Sequence, residues 1–305
     1  MRESAKSSDY FKLHLSVLIW GFTAILGLLI TIPSVEIVFY RTAIAALGLG
    51  VLLYLKKTPV KIGGKEMLKV GGTGLIIAAH WILFFAAARV STASVCLAGM
   101  ATCTLWTSFL ETMLNRTKVK GFEVFLGLTV IGGLYIIFRF EFNHALGLSM
   151  AIASAFLSAL FSVINGKIVK KHDPYVITYY EMIGACLGTA AFFPLYIAFF
   201  QPEGLQLIPT SMDWLWLSIL ALVCTIYPFS VTVEIMKRIS AYVINLTINL
   251  EPVYGIILAV LVFGEKEKME TGFYIGTLVI LLSVLAYPLF NRYYHRRAYS
   301  VNSPQ

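Results

Sequence analysis

The stretch INLEPVYGIILAVLVFGE, residues 248–265, is apolar enough to lie in lipid, yet it sets Glu251 beside Pro252 at its centre. Proline carries no N–H and frees the carbonyl one turn back, at Ile248. Broken backbone at membrane depth is tolerated where protein or a wet cavity satisfies it, so this stretch is a candidate place for a substrate or a proton. His80 lies near the middle of another apolar run. Imidazole titrates near physiological pH, so His80 and Glu251 are the two candidates to carry a coupling proton. A neutral core histidine sharing one helix–helix hydrogen bond accounts for His80 equally well.

A charge at the centre of a membrane helix costs about 2.5–3.5 kcal/mol on insertion scales, so depth sorts the other ionisable groups. Arg41 and Glu36 lie near one end of their run, and Glu111, Glu181 and Glu234 lie within about a turn or two of the ends of theirs. Snorkelling to the interface or pairing with a neighbour accounts for Glu111 and Glu234. For Arg41 and Glu181 a site role stands beside it. Around Pro252, Asn245 and Asn249 share one helical face with the proline, while Thr247, Glu251 and Tyr254 share another. One face is expected to line a cavity and the other to bond a neighbouring helix; spacing does not say which. Trp20, Trp81, Trp106 and Tyr227 are the aromatic candidates for a pocket wall, and Asn165 is a weaker polar addition.

Elements must exist to hold these residues at depth. Of the 305 residues 58% are hydrophobic and only 13% charged, with mean hydropathy +0.80. Soluble proteins of this length carry about a quarter charged residues, so the composition is that of a polytopic membrane protein. With about 20 apolar residues per crossing, ten spans are expected, near 12–32, 35–55, 69–88, 93–114, 121–139, 146–166, 174–199, 213–236, 241–263 and 270–290. The first run is too long for a signal-peptide core and is expected to remain as a membrane helix. The tail after Tyr294 is expected to be disordered.

The net charge of +8 raises the possibility of nucleic acid, but the basic residues sit in short runs between apolar stretches. That is a topology signal. With the N-terminus in the cytoplasm, nineteen of the 24 Lys and Arg fall on the cytoplasmic side; Arg89, Arg139, Lys266 and Lys268 fall opposite, and Arg41 within a span. Both termini are therefore expected in the cytoplasm. The four cysteines show no metal-type spacing. No zinc-protease, phosphate-loop, nucleophile-elbow or dinucleotide motif is present, and no filter repeat or charged ring, so neither enzyme nor ion channel is indicated. Neither metal nor cofactor is expected.

The chain also repeats itself. At an offset of 140, Ile37, Tyr40, Ala45, Leu47 and Gly48 match Ile177, Tyr180, Ala185, Leu187 and Gly188. Further on, an offset of 149 pairs Arg89 with Arg238, Ser91 with Ser240 and Gly127 with Gly276. Five spans per half is an odd number, so the halves enter the membrane from opposite sides. Inverted repeats are the architecture of secondary transporters, with the site near the midplane between the halves.

Trp20-Gly21, Tyr40-Arg41, Glu251-Pro252 and Gly264-Glu265, in this order and spacing, resemble the EamA-type branch of the drug/metabolite transporter superfamily over nearly the whole chain. The resemblance implies an all-α, ten-helix fold of two inverted five-helix repeats, residues 1–140 and 145–291, with a cytoplasmic tail at 292–305. It implies a multi-pass cell-membrane carrier of small metabolites, often an exporter, with its cavity formed largely by the third, fourth, eighth and ninth helices and with help from the first and sixth. At offset 149 the positions of Pro252 and Glu265 hold Cys103 and Arg116, so the fourth helix is expected to lack the break of the ninth. The expected partners are a small-molecule substrate and the bilayer, with no nucleic acid, as monomer or homodimer. Uptake or exchange remains open beside export, as does an intramembrane enzyme or a sensor that transports nothing.

Overall fold

The computed structural model describes residues 6–115, 121–140 and 142–301. Among these, every regular element is helical, which is what a chain without water for its backbone groups must adopt. Besides short 3₁₀ helices at Phe142–His144 and Gly264–Glu267 they are, in order, α1 (Ser7–Trp20), α2 (Thr23–Leu29), α3 (Ser34–Leu55), α4 (Gly64–Val90), α5 (Ala93–Met100), α6 (Cys103–Asn115) and α7 (Gly121–Phe140). Then follow α8 (Ala145–Ile168), α9 (Pro174–Phe199), α10 (Ser211–Ser218), a π-helical stretch Ile219–Ile226, α11 (Tyr227–Ile235), α12 (Ala241–Ile248), α13 (Glu251–Phe263) and α14 (Thr271–Val301).

Eight stretches are long and apolar enough to cross a membrane, some of them made of two helices end to end. The apolar parts of α7 and α14, Phe125–Ile137 and Thr271–Ser283, are shorter. The protein is an all-α, multi-pass membrane protein. Arg2, Arg116, Lys118 and Lys120, used above to read topology, lie outside the described residues. Past Tyr294 the structure corrects the expectation: α14 continues as helix to Val301 rather than ending in disordered chain.

Four stretches are interrupted, three by turns and the fourth by the π-helical stretch between α10 and α11. α1 gives way to α2 at Gly21–Phe22, and α12 to α13 at Asn249–Leu250, just before Pro252. The third corrects the sequence reading: α5 also stops, at Ala101–Thr102, without any proline. There the Gly99 carbonyl accepts both the Thr102 amide at 3.2 Å and the Thr102 hydroxyl at 2.8 Å, a tight turn reinforced by a side chain. The two broken stretches share caps as well. Thr92 accepts from the Val95 amide and Ser240 from the Val243 amide, so the hydroxyl caps stand at an offset of 148.

Close backbone contact holds the centre. α4 packs on both α8 and α9. A side chain at Gly184 of α9 would put its Cβ 2.1 Å from the Gly71 carbonyl oxygen of α4, so only glycine admits this crossing. The ends of the first span are pinned by the matched arginines. Arg89 donates to the carbonyls of Gly27 (3.2 Å) and Ile30 (2.7 Å), at the end of α2. Arg238 grips Asp9, near the start of α1, with two bonds of 2.8 and 2.9 Å. That carboxylate holds the Arg238 guanidinium above its ordinary range.

Candidate functional site

The helix interruptions converge. The backbone amide of Gly255, in the first turns of α13, lies 3.4 Å from where a Cβ on Gly21 would stand, so the break of the first span and the start of α13 touch through glycines. Beside this junction lies a cavity of about 690 Å³, including its mouth. Residues from α1, α2, α3, α4, α5, α8, α11, α12 and α13 line it.

Six of the twelve site candidates singled out from the sequence meet there: Trp20, Arg41, His80, Trp81, Asn165 and Glu251. Arg41 sits in the third turn of α3 and is 2% exposed, which makes it a cavity residue rather than a snorkelling one. Its guanidinium carbon lies 3.7 Å from the centroid of the Trp81 ring, a cation–π stack. Its Nε donates to the Thr225 hydroxyl at 2.8 Å. Trp81 in turn meets Phe229 edge-on at 6.0 Å. Glu251 and His80 line the same cavity as Arg41.

His80 is anchored to α8. Its Nδ1 lies 2.9 Å from the Ser154 carbonyl oxygen and 2.7 Å from the Ser154 hydroxyl, which itself donates to the His80 carbonyl at 2.8 Å. With that hydroxyl committed as a donor, the geometry assigns the ring proton to Nδ1, and Nε2 remains for the cavity. The helix–helix hydrogen bond and the cavity role, set as alternatives above, are both present.

The π-helical stretch is what sequence reasoning missed. Pro228 has no N–H to give the Cys224 carbonyl four residues back. That carbonyl instead accepts the Trp20 indole N–H at 3.1 Å. One residue on, Thr225 donates to Leu220 five residues back and so presents its oxygen to Arg41. Such stretches recur at functional sites because they re-aim backbone groups. Proline four residues after Cys224 was the available signal, and it parallels Pro252 and Ile248, which also lines the cavity. Thr23, Ser158, Phe161, Ser162 and Thr232 are further wall residues that no motif marked.

The other six candidates stand elsewhere. Asn245 and Asn249 are buried and donate to Thr107 (2.7 Å) and Thr104 (2.6 Å) of α6. The asparagine face of the α12–α13 stretch therefore bonds a neighbouring helix, and Glu251, from the other face, opens on the cavity. Tyr254, although it shares that face, packs against Gly21 and the apolar core. Trp106 meets Phe156 edge-on at 5.5 Å, away from the cavity wall. Tyr227 is 38% exposed and does not line it either. Glu181 is fully buried one layer out, facing Asn165, which does line the cavity. Among the described residues no group of His, Cys, Asp and Glu could hold a metal ion.

Comparison with known proteins agrees with this architecture. A solved chain titled only "Crystal structure of protein" superposes with a TM-score of 0.64 at 16% identity, over 92% of this chain and 97% of that one, which shows a shared fold. An "Uncharacterized transporter" of Archaeoglobus fulgidus is 28% identical over 153 residues, covering 50% of this chain and 52% of its own length. The chain thus spans about half the length of that curated relative. The profile of the EamA-like transporter family matches residues 9–139 and again 145–287. The chain belongs to the EamA-like transporter family, within the drug/metabolite transporter superfamily.

Proposed function

We propose that the protein is a secondary transporter of small metabolites in the cell membrane, an exporter working by alternating access between two inverted five-helix repeats, residues 1–140 and 145–291. The observation that carries this reading is the cavity itself. It holds Arg41, His80 and Glu251 together at the depth where the first, eighth and ninth spans are interrupted. Charges so placed are expensive and mark a substrate or ion path. Ten spans with both termini in the cytoplasm are supported by the order of the helices and by the Lys and Arg asymmetry. The double match of the family profile, the broken α5–α6 and α12–α13 pair, and the matched Arg89 and Arg238 support the repeat. The cavity wall extends to Asn165 and Met236, at the ends of α8 and α11 on the Lys- and Arg-rich side, which suits loading from the cytoplasm.

In this mechanism the stacked Arg41 and the Glu251 carboxylate orient the substrate, while Phe161 and Phe229 supply apolar contact. His80 Nε2 and Glu251 couple transport to protons or to exchange. The test is flux through purified protein in liposomes, guided by comparative metabolomics of cells with and without it. Failure to move any amino acid, nucleoside, vitamin or drug would overturn the carrier reading. Replacement of His80 by Ala or Glu251 by Gln is expected to abolish pH-driven flux in protein that still reaches the membrane; unchanged pH dependence in both variants defeats the coupling assignment.

A further inference from the structure

Outside the cavity, Glu181 is a buried acid that this mechanism does not use. It is fully buried on α9, and neither of its carboxylate oxygens has a hydrogen-bond partner in the protein. Asn165 of α8 faces it without closing a bond of good geometry, and both polar atoms of that amide are unpartnered too. The helices packed against α9 carry Arg41 on α3, Lys69 and His80 on α4 and Glu234 on α11, and none of these acts on the Glu181 carboxyl. The contact with α4 is too tight to admit a side chain: a Cβ on Gly74 would lie 2.2 Å from the Glu181 carbonyl oxygen. An ionised carboxylate with neither a counter-charge nor a donor is strongly disfavoured in such surroundings, whereas the neutral acid is tolerated.

A polar seam leads from this place into the cavity. Ser154, Ser158, Ser162 and Asn165 lie at i, i+4, i+8 and i+11 along one face of α8. Ser154 holds His80, and the other three line the cavity. The seam spans about 16 Å of helix, from the histidine to the amide that faces Glu181. Glu181 is also the repeat mate of Arg41 at the offset of 140 that pairs Tyr40 with Tyr180, so opposite charge types occupy matched positions of the two halves.

We propose that Glu181 is a proton-binding site of this transporter, holding a proton as a neutral acid in this conformation and exchanging it with the cavity past Asn165. On release the acid O–H bond breaks and the proton passes to water in the cavity. The Asn165 Nδ2–H then donates to the carboxylate left behind, and the reverse steps reload it. The role in coupling rests on the carrier reading above; the proton site itself does not.

The probe is therefore the proton, read by infrared spectroscopy of the full-length protein in phosphatidylcholine and phosphatidylglycerol liposomes at neutral pH. The expected spectrum contains the carbonyl band of an un-ionised carboxylic acid. That band is lost in Glu181→Gln and kept in Glu251→Gln, and thermal melting shows that both variants are folded. On transfer to D₂O the band shifts as Glu181 exchanges its proton through the cavity. A Glu181→Gln spectrum with the band at wild-type strength overturns the proposal, as does its absence from the wild type. A band that stays in place after overnight exchange removes the link to the cavity. Loss of the band on replacing choline chloride by sodium chloride at fixed pH assigns the site to a cation and equally overturns it. Since no transported compound is needed, a null flux result sinks the carrier reading without touching this one.

Discussion

The α5–α6 and α12–α13 stretches break at nearly the same place by different means. In α12–α13 the local sequence is sufficient: Pro252 cannot donate to Ile248, and the turn at Asn249–Leu250 follows. In α5–α6 no residue forbids a continuous helix, and the break depends on its surroundings. Burial separates the two. In the most apolar part of α5–α6 83% of residues are buried, against 28% in α12–α13. A stretch enclosed by protein can be held in an irregular shape by its neighbours. One that faces outward for most of its length has fewer contacts to impose a shape, and there proline does so covalently.

The sharpest way to break this comparison is to press on the packing. A Cβ at Gly99 would fall 2.5 Å from the Ala151 Cβ, a contact that no rotamer change can relieve. At Gly255 the severe clash, 2.4 Å, is with the tip of the Leu97 side chain, and the Gly21 carbonyl oxygen stands behind it at a milder 3.1 Å. Gly99→Ala is therefore expected to destabilise by about 1–3 kcal/mol, the usual cost of overpacking, and Gly255→Ala by less than half as much. Thermal unfolding in detergent measures both. Equal losses would show that packing does not distinguish the two breaks.

The next pair tests the cause of each break directly. Pro252→Ala supplies the missing donor to Ile248 and is expected to raise stability by about 0.5–1.5 kcal/mol, the net worth of one hydrogen bond. It should also slow transport, since a straightened helix carries Glu251 away from Arg41. Thr102→Val removes the hydroxyl bond to Gly99 and is expected to cost about 1 kcal/mol while flux persists, because the backbone amide of residue 102 still bonds the Gly99 carbonyl. Were Thr102→Val to abolish flux while Pro252→Ala left it intact, the assignment of local and tertiary causes would be reversed.

The same division explains what could be read from the sequence. Helices, their order and the break at Pro252 were legible because each has a local cause: an apolar run of sufficient length, or a missing N–H. His80 and Glu251 were legible as charges at mid-span. Arg41 was legible only as one of two alternatives, since counting from a helix end says nothing of a cavity reaching up to it. Tyr227, Trp106 and Tyr254 misled for another reason. In a helix apolar on every side, an aromatic facing lipid, core or cavity leaves the same trace in the sequence. The turn at Thr102 was illegible because threonine within a helix is ordinary, and the close approach of Gly99 to Ala151 joins residues far apart in sequence.

The smallest effect concerns the bonds that tie the two broken stretches together. Asn249 donates to Thr104 at 2.6 Å and Asn245 to Thr107 at 2.7 Å, so α12 is bonded to α6 across the halves of the chain. Such bonds are worth little in membranes, about 0.6 kcal/mol on average, because the separated helices find other partners. A double-mutant cycle of Asn249→Ala with Thr104→Ala is expected to return a coupling of that size. The outcome matters in both directions. A coupling of about 2 kcal/mol or more would exceed the range seen for such bonds and make α6 and α12 one rigid unit, so that alternating access must move other helices. A coupling near zero would leave α12 free to slide on α6, and Glu251 would be carried by the α13 side of the break alone.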